Sequence, residues 1–235
     1  MTLLSKNARI AGALYLLSIL VGWFTLEYIP DRLIKSGDAV ATAHNIIANP
    51  FLFRLAIAGD LVGGVVWLAV VLALYRLLKD VDRAQAALMV ILGAFMQVPL
   101  YFVNVVNYVA ALALVTGTSF LSAFSDAQRD ALAMLFLRLH HYELLASLVF
   151  GGLWLFPFGI LVFRSRFLPR ILGVWLVING FAWLAISFSG FLAPQYASTV
   201  STITSPILFG EIAIMLWLLI MGAKDQRVPA PAMSS

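Results

Sequence analysis

The chain contains no cysteine. That absence excludes disulfides, thiolate metal sites, iron–sulfur clusters and a cysteine nucleophile. Charge is also scarce: 11% of the 235 residues are Asp, Glu, Lys or Arg, 63% are hydrophobic, and the mean hydropathy is +0.99. A soluble domain of this length needs far more polar surface to cover its core. The composition is that of an integral membrane protein, and its main partner is the lipid bilayer. The charges form no acidic or basic tail, which sets nucleic acid aside as a partner. No lysine falls within an apolar run, so a retinal Schiff base is excluded, and no Gly-rich phosphate loop follows a strand. Of three histidines, His140 and His141 are adjacent and His44 lies between apolar runs, so bis-histidine haem lacks facing imidazoles. The expectation is therefore no cofactor.

What is present is a series of apolar runs, each long enough to cross about 30 Å of hydrocarbon. They lie near 9–28, 51–77, 86–116, 129–163, 168–190 and 202–222. The runs are continuous rather than alternating, which argues for helices over barrel strands. The first ends in the bulky "VGWFTLEY" with no small-residue cleavage site, and is read as an uncleaved span. Asn49–Pro50 reads as an N-cap followed by proline at the first helical position. Ser125 and Gln128 have capping-box spacing. Between the first two runs, residues 38–48 read either as a short interfacial helix capped by Asp38 or as an irregular loop. Val40, Ala43, Ile46 and Ile47 would form the apolar face of that helix. Residues 223–235 are polar and proline-containing and read as a disordered tail. The expected fold is all-α: a single six-transmembrane-helix bundle spanning 1–222.

Orientation follows from Lys and Arg. Lys6, Arg9, Arg76, Lys79, Arg83, Arg164, Arg166, Arg170, Lys224 and Arg227 fall on one side, and Arg32, Lys35, Arg54 and Arg129 on the other. Ten against four places both termini in the cytoplasm, and the expected location is the bacterial cytoplasmic membrane. Two hairpins also look alike. Arg9-Ile10-Ala11-Gly12 matches Arg170-Ile171-Leu172-Gly173, and Gly59-Asp60-Leu61 matches Gly210-Glu211-Ile212. Parallel hairpin repeats would explain this, and so would shared membrane-entry and close-packing chemistry.

The spans also carry polar groups that lipid cannot satisfy. Asp60, Glu143 and Glu211 place one acid on each outward-to-inward helix. Gln97, Tyr101, Asn104 and Tyr108, spaced four, three and four apart, share one helical face that Asn107 borders. On the fourth span His140, Glu143 and Ser147 fall on one face, and Arg138, His141 and Tyr142 on another. Arg138 keeps its charge at any physiological pH, so it should pair with an acid from another helix, Asp60 or Glu211.

Three readings accommodate this cluster. In the first, Asp60, Gln97, Tyr101, Asn104, Asn107, Arg138, His141, Glu143 and Glu211 line an outward-facing acidic site. That site binds, and in its fuller form translocates, a small cationic or polar ligand. In the second, His140-x-x-Glu143 supplies two metal ligands for an intramembrane hydrolase, a weak two-residue signal. In the third, the cluster only fixes helix packing. The first leads, an enzyme is the less favoured outcome, and a homo-oligomer is compatible with each.

The ends of the spans carry a resemblance. "ARIAGALYLL" at 8–17, "ANPFLFRLAIAGDL" at 48–61, "FRSRFLPRILGVWL" at 163–176 and "GEIAIMLWLLIMG" at 210–222 resemble the bacterial membrane family known as domain of unknown function 4386. The most specific element is Phe163-Arg164-Ser165 followed by Phe167-Leu168-Pro169-Arg170 and Gly173. The resemblance implies a multi-span chain of about this length and carries no activity over.

Overall fold

The computed structural model describes residues 2–223. Residues 224–235, which make up all but the first residue of the expected disordered tail, lie outside the described residues, as does Met1. Six helices are long and apolar enough to cross a membrane. They are α1 (Leu3–Leu33), α3 (Pro50–Leu78), α4 (Arg83–Thr116), α5 (Asp126–Arg164), α6 (Arg170–Leu192) and α7 (Pro194–Met221). A short helix, α2 (Ala39–Ala48), lies between the first two. Among the described residues there is no strand. The all-α expectation is met, with six long apolar helices consistent with six spans.

Local chemistry sets the helix ends. Ser125 and Gln128 form the anticipated capping box, which satisfies two backbone donors reciprocally at the start of α5. The Asp38 carboxylate accepts from Ala41 N–H at 2.8 Å and opens α2. Asn49 holds the expected N-cap position of α3 ahead of Pro50, and its carbonyl accepts from Phe53 N–H at 3.2 Å. Its side chain, however, donates back to Asn45 O at 3.0 Å and closes α2. Within α2 only part of the expected face turns inward: Ala43 and Ile46 are buried, whereas Val40 and Ile47 are exposed. The helix is tied down by Asn45 Nδ2 to Leu33 O and by Lys35 N to Thr42 Oγ1.

Three of the long helices widen into π-helical turns, at Trp23–Tyr28, Ile91–Phe95 and Trp217–Met221. Such turns disturb the regular carbonyl ladder, and carbonyls around the second one find side-chain donors. Trp67 Nε1 donates to Gly93 O at 2.7 Å, and Gln97 Nε2 donates to Leu92 O at 3.2 Å and to Phe150 O at 3.3 Å. The helix interior carries Pro206 in α7. Just beyond it, Trp175 Nε1 and Asn179 Nδ2 from α6 donate to Ile207 O and Leu208 O. These bonds hold helices together where lipid provides no hydrophobic force between them.

The long helices close into a ring in which α1 contacts both α3 and α7. Helix α5 is the most enclosed, with half of its most apolar window buried. Glycine makes its contact with α6 intimate. A Cβ on Gly152 would lie 2.6 Å from Gly180 O, and one on Gly159 would lie 2.6 Å from Gly173 O. The two similar hairpins share a packing habit. Gly59 lets α3 close on Thr25 of α1, and Gly210 lets α7 close on Trp175 of α6.

Burial along the bundle is layered. One apolar core gathers Phe53 and Ala56 of α3, Tyr108 and Ala111 of α4, Leu137 of α5 and Ile46 of α2. The other gathers Val70 and Leu74 of α3, Met89 of α4, Trp154 and Phe158 of α5 and Ile214 of α7. On each of α3, α4 and α5 the residues between those two cores include a buried polar side chain: Asp60, then Gln97 and Asn104, then His140. The packing yields a test. Gly152→Ala forces a methyl group onto the Gly180 carbonyl and should cost about 1–3 kcal/mol, read as a lower melting temperature in detergent. Gly151→Ala, which meets nothing within 4 Å, should leave it unchanged.

Candidate functional site

The polar layer is organised by one pair. Asp60 Oδ2 lies 3.2 Å from His140 Nε2, with both side chains buried. Asp60 comes from α3 and His140 from α5, and the third wall is α4. There the Tyr108 ring stacks on the imidazole with centroids 3.6 Å apart and planes 9° from parallel. Asn104 Nδ2 donates to His140 O at 3.0 Å, so α4 grips the backbone that carries the imidazole. Asn107 Nδ2 then donates to Asn104 Oδ1 at 3.0 Å and to Glu143 Oε2 at 3.4 Å. Glu143 is only half-buried. A hydrogen-bonded chain thus runs from the main-chain carbonyl of His140, over Asn104 and Asn107, to a carboxylate near the bundle surface.

The pair leaves one group without a partner. Asp60 Oδ1 is buried and has no hydrogen-bond partner among the described residues, and Asp60 is only 4% exposed. An unpaired acceptor in such surroundings is costly, and buried polar groups are normally satisfied. Within the same wall Tyr108 is buried and Tyr101 half-buried.

The remaining expected residues fall elsewhere. The three acids do not form one bonded cluster. Glu211 of α7 accepts from Tyr15 Oη of α1 and, at 2.7 Å, from Trp183 Nε1 of α6. No hydrogen bond or ion pair among the described residues joins that set to Asp60. The expected pairing of Arg138 with Asp60 or Glu211 is not found either. Both acids are engaged by other groups, and Arg138 and His141 are exposed on the outer side of α5. The physical reason is helical phase: inward rotation of His140 turns the residues one and two positions away outward. Gln97 faces inward as its stripe requires, but its amide serves the carbonyls of Leu92 and Phe150.

For the weak metal reading, His140 is committed to Asp60 and Glu143 to Asn107. Among the described residues no group of three His, Asp or Glu side chains is placed to hold a metal ion. Tyr15 is the partner that sequence reasoning missed. Its signal was a phenol inside the first apolar run, since a buried Tyr hydroxyl ordinarily needs a hydrogen-bond partner.

A double-mutant cycle tests the pair. Asp60→Leu and His140→Leu should each cost about 3–5 kcal/mol by stranding the other group. The double variant should recover about 1–3 kcal/mol of the summed loss. Cycles of Arg138→Leu with Asp60→Leu or Glu211→Leu should be additive within about 0.5 kcal/mol. Thermal unfolding in detergent reads all of these.

Comparison with known proteins adds relatives without an assigned activity. The chain is similar to an uncharacterised protein of Archaeoglobus fulgidus, with 32% identity over 83 residues, covering 34% of this chain and 46% of that protein. The chain thus spans less than half the length of that relative. No solved structure matches. The family model described as Domain of unknown function (DUF4386) matches residues 10–222, and the chain belongs to that family.

Proposed function

We propose that this protein binds a small cation within the membrane at the Asp60–His140 pair, and that translocation of that cation is the fuller form of the same activity. The observation that carries the reading is Asp60 Oδ1, a buried carboxylate oxygen without a hydrogen-bond partner among the described residues. A cation that donates an N–H would satisfy it. Tyr108 packs flat on the imidazole, and Asp60, His140 and Asn104 are each no more than 4% exposed. Such packing suits a small occupant. Asn104, Asn107 and Glu143 line the way from the backbone that carries His140 to the bundle surface. Of the cationic and polar ligands that the composition admits, these features favour the cation. The metal-assisted hydrolase draws on His140 and Glu143, whereas a catalytic zinc ordinarily uses three protein ligands.

The test titrates the full chain in detergent with ammonium, methylammonium and potassium chlorides at constant ionic strength. A ligand that binds only the folded state raises the melting temperature with its concentration. The expected result is such a rise for at least one cation in the parent protein and none in Asp60→Asn. No response to any of the three, or the same response in Asp60→Asn, would overturn the reading.

The same proposal places both termini in the cytoplasm, in a bacterial cytoplasmic membrane, on the strength of ten Lys and Arg against four. Because the chain has no cysteine, single cysteines report side directly. In intact cells a membrane-impermeant thiol reagent should label cysteine at Ser36 and at Ser122, and should spare it at Asp80. All three positions are exposed. Labelling at Asp80 alone would reverse the orientation.

A further inference from the structure

A groove of about 290 Å³ runs along the contact between α5 and α6, far from the Asp60–His140 pair. Its apolar walls include Ile160 and Phe163 of α5 and Val174 and Val177 of α6. The floor is the glycine contact, where Gly159 and Gly173 bring the two backbones together. Arg164 lines one end of the groove, and the Arg170 guanidinium lies 5.5 Å from the centroid of the Phe163 ring. A hydrocarbon-lined channel therefore ends in guanidinium groups.

The connector between α5 and α6, which carries Arg166 between Arg164 and Arg170, is braced from within. Ser165 Oγ donates to Val162 O at 2.8 Å and accepts from Leu168 N–H at 3.2 Å. Phe167 and Leu168 are buried, while Arg164, Arg166 and Arg170 are exposed. Arg166 has φ 61°, the one non-glycine residue with positive φ among the described residues. That conformation is disfavoured for an L side chain and persists only where its surroundings impose it. The neighbouring connector contributes Lys79, Asp80, Asp82 and Arg83, whose charges balance. Asp82 Oδ2 accepts from Arg164 at 2.8 Å. Arg166 and Arg170 have no acidic partner among the described ion pairs.

We propose that this groove binds an anionic phospholipid, with an acyl chain along Ile160, Phe163, Val174 and Val177 and the phosphodiester on Arg166 and Arg170. Charge complementarity selects the occupant. Arginine presents a planar fork of donors that matches phosphate oxygens, and basic groups at a membrane surface attract anionic headgroups. A free phosphate would use the arginines and leave the apolar groove without a role. A zwitterionic lipid would fill the groove but gain less from two uncompensated guanidiniums. The site is independent of the cation-binding reading, since it shares no residue with it.

Native mass spectrometry of the full chain released from detergent tests this with phosphatidylglycerol and phosphatidylcholine of identical acyl chains. The expected result is one phosphatidylglycerol retained at least tenfold more than phosphatidylcholine. Arg166→Gln with Arg170→Gln should reduce that preference to less than twofold. Val174→Phe, which fills the groove and keeps both charges, should lower retention of both lipids. Arg129→Gln, in the loop-proximal turn of α5, should leave the preference intact. Glycerol 3-phosphate at millimolar concentration should fail to displace the lipid. An unchanged preference in the double arginine variant would overturn the proposal. So would an equal loss in Arg129→Gln, or ready displacement by glycerol 3-phosphate.

Discussion

The interior of this bundle is governed by the obligation to satisfy a carboxylate enclosed by protein. Asp60 Oδ2 faces His140 Nε2 at 3.2 Å, and the arrangement of three helices follows from that contact. His140 must point inward from α5, which brings Asn104 of α4 onto its carbonyl and Tyr108 onto its ring. Each of these groups would be expensive alone in hydrocarbon. Together they form a polar floor between two apolar cores, and they fix the relative rotation of α3, α4 and α5.

The other half of the bundle meets the same obligation differently. Glu211 receives a phenol and an indole from α1 and α6 rather than an imidazole. Around it, Trp175 and Asn179 reach carbonyls beside Gly210. Small residues and side-chain donors are the available forces when lipid tails are as apolar as leucine. The glycine pairs of α5 and α6 serve the same end by permitting backbone contact.

The architecture was legible because it rests on runs of residues. Six apolar stretches, the Ser125 capping box and the Asp38 cap are local, and each appears in the structure. The inward stripe of Gln97, Asn104 and Tyr108 was also legible, since helical spacing alone defines a face. Partners were less so. Spacing says that His140 and Arg138 lie on different faces but cannot say which one turns inward. Charge favoured Arg138 as the partner of Asp60, and packing gave that place to His140. The shared site expected of the acids was no more legible: Asp60 and Glu211 occupy matching positions in similar hairpins, yet each bonds only within its own group of helices. Tyr15 carried no local mark beyond its hydroxyl.

The π-helical turns at Trp23–Tyr28, Ile91–Phe95 and Trp217–Met221 bear on how the chain tolerates changes of length. A π turn holds one residue more than the α turn it replaces. Removing a residue elsewhere in α4 would turn everything beyond it by about 100° and carry Asn104 and Tyr108 off the imidazole. Removing one within Ile91–Phe95 would instead let the turn relax to an ordinary one while the segments on either side keep their phase. The turn at Ile91–Phe95 is therefore a place where the chain can lose a residue without disturbing the polar floor.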